Sequence, residues 1–75
     1  KIPGGNVYCY DKNNNIFSNT TTDANGETPY IKILYGDNPI TIIAEKSGNY
    51  AQTTIFISHS QNITLILYSY RISEE

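Results

Sequence analysis

The sequence predicts an all-β protein, a small antiparallel β-sandwich of six to seven strands. Three observations carry that expectation. Apolar and polar residues alternate with a period of two through most of the chain, as in half-buried strands. Clusters of Gly, Pro, Asn and Asp interrupt the alternation every eight to twelve residues or so. Leu and Ala, which favour helices, are scarce, whereas Thr, Ile and Tyr, which suit a pleated surface, are abundant.

The opening "KIPGG" reads as a lead-in linker over residues 1–5. "NVYCYD" is the first strand, with Val7 and Cys9 on one face and Tyr8 and Tyr10 on the other. After the polar break "KNNN", Ile16 to Thr22 forms a second, weaker strand that ends at the turn "DANG". "TPYIKILY" is the third strand, and Pro29 marks an edge position or a bulge near its start. "GDNP" turns the chain into "ITIIAEK", with Ile40, Ile42 and Ala44 inward and Thr41, Ile43 and Glu45 outward. "SGN" leads to a fifth strand, "YAQTTIFIS", and "HSQ" to a sixth, "NITLILYSY". In the sixth, Ile63, Leu65 and Leu67 point inward and Thr64, Ile66 and Tyr68 outward. "RISEE", residues 71–75, reads as a frayed tail. The expected interior is Val7, Cys9, Ile31, Ile33, Ile40, Ile42, Ala44, Ile55, Ile57, Ile63, Leu65 and Leu67.

Composition narrows the function classes. At 75 residues the chain is one domain. A net charge of −2 gives no electrostatic footprint for nucleic acid. No apolar run approaches the roughly 18 residues of a membrane span, so direct insertion as a helix is not expected. With neither an initiator Met nor a signal peptide, the chain reads as a domain excised from a longer protein.

The order of these signals is similar to that of the carboxypeptidase-regulatory-like domains, a transthyretin-like, immunoglobulin-type β-sandwich family. The residues that carry the resemblance are Thr22, Asp23 and Gly26 in the first turn, Gly36 in the second, the inward series Ile40, Ile42 and Ala44, and the corner Gly48 and Tyr50. It extends from about Gly5 to Leu67. Only "KIPGG" precedes the first strand, and an extra residue separates Gly48 from Tyr50. The resemblance implies a non-catalytic structural or interaction module, a spacer or adhesin-type domain of a secreted or cell-surface microbial protein. Its implied partners are neighbouring domains of the same parent chain. B-type repeats of Gram-positive surface proteins are also similar, but the buried acid of their Lys–Asn isopeptide bond falls near apolar Ala44, and Glu45 faces the other way.

Few residues suggest chemistry. "TTTDANGE" has alternating oxygens, but Gly26 comes too early for a calcium loop and no acid stands where the bidentate ligand belongs. An Asx-turn on Asp23, with Gly26 at positive φ, accounts for every residue of the stretch, so no metal and no cofactor is expected. His59 reads as a loop residue beside Ser58 and Ser60, not as part of a triad. Cys9 reads as an inert buried thiol. Asn19 and Asn62 each begin a glycosylation sequon compatible with export. Two surface sets remain. Tyr8, Tyr10, Ile43, Ile66 and Tyr68 form either an interface patch or ordinary cross-strand pairs. Tyr30, Tyr35, Asn38 and Tyr50 are the candidates for the alternative function, a carbohydrate- or protein-binding module that holds a glycan or a protein receptor.

Overall fold

A computed structural model of the protein describes residues 1–69 and 71–75. Its strands are β1 (Asn6–Tyr10), β2 (Ile16–Thr21), β3 (Ile31–Ile33), β4 (Ile40–Lys46), β5 (Asn49–Ile55), β6 (Gln61–Ile63), β7 (Leu65–Leu67) and β8 (Ile72–Glu74), with one 3-10 turn at Tyr35–Asp37. Every strand pairing is antiparallel. Among the described residues the protein is therefore all-β, with eight strands in three small sheets instead of the expected six or seven.

The largest sheet has the order β2-β1-β4-β5. A bulge between Cys9 and Tyr10 shifts the register of β1 against β2. β4 and β5 pair without interruption from Ile40–Ile55 to Lys46–Asn49. Their connection is the two residues Ser47 and Gly48, both at positive φ (53° and 84°), the backbone that matches the twist of paired strands. β3 pairs with β6, and β7 with β8. Between these pairs, residues 26–28 run along the other side of β7. Leu67 N–H donates to Gly26 O, Thr28 N–H donates to Leu65 O, and Leu65 N–H donates to the Thr28 hydroxyl.

Eleven of the twelve expected interior residues are buried, the exception being half-buried Ile55, which packs against the same cluster. That cluster joins residues of β1, β3, β4, β6 and β7 with Ile57. Ala51 and Ile66 are also buried. Ile66 corrects the outward assignment: Glu27 and Ser73 flank it on either side, so its row of the sheet is covered laterally.

Several expected boundaries change: the third strand shortens from Thr28–Tyr35 to Ile31–Ile33, and the fifth from Tyr50–Ser58 to Asn49–Ile55. The sixth strand breaks at Thr64 into β6 and β7, and Tyr70, its expected last residue, lies outside the described residues. Residues 71–75 are not a frayed tail. Ile72–Glu74 pair with β7, and Glu75 N–H donates to Thr64 O. The lead-in of residues 1–5 is irregular as expected, but it is tied down. The Thr22 hydroxyl accepts from Gly5 N–H and donates to Ile2 O, while Ile2 N–H donates to Leu67 O.

Candidate functional site

The Asp23 turn forms as the sequence predicts. Asp23 Oδ1 accepts the backbone N–H groups of Asn25 (2.8 Å) and Glu27 (3.0 Å), and Gly26 has φ +76°. The break "KNNN" conceals the same device. Asp11 Oδ1 accepts from Asn13 (2.8 Å) and Asn15 (3.0 Å), with Asn14 at φ +62° in the place of Gly26. In both loops the aspartate oxygen is already occupied by the backbone. Among the described residues no group of three or more His, Cys, Asp or Glu side chains is arranged to hold a metal ion.

The set Tyr30, Tyr35, Asn38 and Tyr50 does not form one site. Asn38 is buried and structural. Its amide donates to Tyr35 O and Ile57 O and accepts Ile57 N–H, each at 2.9 Å. Tyr35 is exposed beside β4, packed edge-on against exposed Phe56 with ring centroids 6.1 Å apart. With Leu34 these rings make an apolar corner at the end where β4 begins. Tyr50 lies opposite Glu45 near the other end of β4, roughly 17 Å along the strand from Ile40. Tyr30 is 82% exposed and lines a shallow hollow of about 260 Å3 with Asn62, Thr64, Glu74 and Glu75.

The register does collect part of the second set. Tyr8 lies directly opposite Ile43, and Tyr10 opposite Thr41, on the outer face of the large sheet. All three of Tyr8, Tyr10 and Ile43 are half-buried; across the sheet Tyr8 meets Asn19, Tyr10 meets the exposed Ile16, Ile43 meets Gln52, and Thr41 meets Thr54. Ile66 is buried elsewhere and does not belong to this face. Tyr68 also lies apart, with the Arg71 guanidinium 4.4 Å above its ring centre.

Tyr68 instead shares a cleft with Tyr50. The cleft holds about 380 Å3 and opens between the β4–β5 hairpin and the end of β7. Its origin lies in the β4–β5 ladder. The inward pairs are Ile40–Ile55, Ile42–Thr53 and Ala44–Ala51, so side-chain volume falls away toward the turn. Alternation alone did not locate this cleft. The signal was the Ser-Gly turn, whose two-residue length places Ala44 against Ala51.

Three other groups complete the picture. Burial pushes the Cys9 thiol up to about 11, which keeps it protonated and unreactive at neutral pH. His59 is exposed, and its Nδ1 meets the hydroxyl of the adjacent Ser58 at 3.0 Å. A hydrogen bond with Glu75, together with the like charge of that residue, holds the Glu27 carboxyl above its ordinary range. Among the described residues no helix is long and apolar enough to cross a membrane. Comparison with protein-family models, curated proteins and solved structures gives no match to this chain.

Proposed function

We propose that the chain is a non-catalytic structural or interaction module of a secreted or cell-surface microbial protein. It is read as a small β-sandwich of the carboxypeptidase-regulatory-like kind. The arrangement of β3, residues 26–28, β6, β7 and β8 around the apolar interior of the large sheet supports a two-layer reading. The single observation that carries the functional reading is the outer face of that sheet. Tyr8, Ile43 and Tyr10 lie together among Ile16, Asn19, Thr41, Gln52 and Thr54, with Glu45 at one end of the row, so the centre of this face carries no charge to desolvate. Its proposed partner is an adjacent domain of the parent chain. Amide exchange at Tyr8, Tyr10 and Ile43, measured on the isolated chain and on the chain joined to its neighbours, tests this. Slower exchange in the longer protein, lost in Ile43→Asp, is the expected result. Equal exchange in both removes the docking face.

A second reading, a saccharide- or protein-binding module, is favoured by one observation. Tyr50 and Tyr68, which the sequence assigns to different sets, line one cleft.

A further inference from the structure

We infer that the free edge of β5 is a self-association site, where a second copy of this chain pairs strand to strand about a two-fold axis at Gln52. β5 ends the large sheet, with β4 on one side and no strand on the other among the described residues. The hairpin register decides which of its backbone groups are free. A two-residue loop is flanked by a hydrogen-bonded pair, here Lys46 and Asn49. Alternation then makes Ala44–Ala51 and Ile42–Thr53 bonded pairs as well, and turns the N–H and C=O groups of Tyr50, Gln52 and Thr54 away from β4. Among the described residues, none of the backbone hydrogen bonds outside the strand pairings reaches these residues.

An open edge invites another strand, and the other sheet edges carry devices against it. β2 is broken in register by its bulge. β3, β6 and β8 are three residues each, with Lys32 in β3 and Glu74 in β8. β5 runs seven residues without a charge, a proline or a bulge. Its sequence fits its own copy. An axis at Gln52 sets Tyr50 opposite Thr54 of the second copy, and Gln52 opposite its counterpart. The outward groups of all three residues then meet as bonded pairs, each exchanging both N–H···O bonds. An axis at Ala51 or Thr53 would leave the groups of Thr54 or Tyr50 unpaired. Tyr50, 73% exposed in the single chain, gains an aromatic–β-branched pair across the junction, and no like charges face each other. The two-fold arrangement closes on itself as a dimer. One seven-residue edge falls at the small end of interface sizes, below about 1,200 Å2 in total, so the dimer is weak.

Sedimentation velocity of the 75-residue chain, from about 10 μM to about 1 mM, tests this. The expected result is a monomer–dimer equilibrium with a dissociation constant on the order of 100 μM. Gln52→Lys and Gln52→Glu each set like charges face to face and weaken it about tenfold or more, and an equimolar mixture of the two variants restores it. Gln52 is exposed, so both variants keep the fold, which an unchanged melting temperature at low concentration checks. In the unsubstituted dimer, NMR of a mixed-label sample should show contacts between the α-protons of Ala51 and of Thr53 of the second copy. A chain that stays monomeric throughout overturns the proposal. A dimer that lacks these contacts, or is indifferent to both Gln52 variants, overturns β5 as the interface. Growth beyond the dimer overturns the two-fold in favour of β5 pairing with β2 of the next copy in an open chain.

Discussion

Asn38 shows how a single side chain can be mistaken for a ligand-binding group. In the sequence it stands between Asp37 and Pro39 and looks like a turn residue available to a partner. In the fold its amide substitutes for three missing backbone partners, two of them on Ile57. Asn38→Ala leaves the buried Ile57 N–H without an acceptor, so we expect a loss of about 2–4 kcal/mol in urea unfolding. Asn38→Asp should cost at least as much, since a carboxylate would then face two carbonyl oxygens. The aspartates Asp11 and Asp23 make matching pairs of backbone hydrogen bonds in separate loops. Each mutation to Ala is expected to cost about 1 kcal/mol, and the double mutant about the sum. With Oδ1 so engaged and no group of three acidic or other ligating side chains among the described residues, the Asp23 turn should also leave the melting temperature unchanged by calcium.

At the scale of elements, β1, β4 and β5 were legible because each alternates over five residues or more and meets a neighbour in uninterrupted register. β8 was not. "ISE" is short and polar, and only its pairing with β7 makes it a strand. The split between β6 and β7 was hidden because Ile63, Leu65 and Leu67 stay in phase across the break. The cleft was invisible to alternation for a related reason: it depends on which residues oppose one another, not on which face they take. Turn glycines divide in the same way. A Cβ at Gly26 would lie 3.0 Å from Ile2 N and 3.2 Å from Leu67 O, on a backbone of φ +76°. Gly26→Ala should therefore cost more than the roughly 1–2 kcal/mol of the left-handed conformation alone. A Cβ at Gly36 meets nothing within 4 Å, so Gly36→Ala should stay within about 0.5 kcal/mol. Paired denaturation curves for the two variants separate a glycine held by packing from one that merely resembles a family pattern.

For the whole molecule, acidity has a sign that can be worked out from Glu27. Its carboxyl is held above the ordinary value of 4.5 in the folded protein, first by the hydrogen bond with Glu75 and then by like charge. The folded state thus binds this proton more readily than the unfolded chain. The contribution is fully present below the unfolded value and is lost as pH rises through the folded one. Stability from this pair should rise as pH falls from neutrality toward 4.5, and Glu75→Gln should flatten that part of the profile. Denaturation midpoints measured at pH 7 and 5 in both proteins check it.

The strand β7 has a mechanical consequence as well. Ile2 is hydrogen-bonded to Leu67 at one end of β7, and Glu75 to Thr64 just before its other end. Tension applied through the two ends of the described chain would enter at opposite ends of that short strand and shear it against β8 and the lead-in. The large sheet would carry little of the load until those contacts gave way. Extension under force should then begin at residues 1–5 or 71–75, with β1, β4 and β5 still folded, so that the protein lengthens in a small first step before it ruptures.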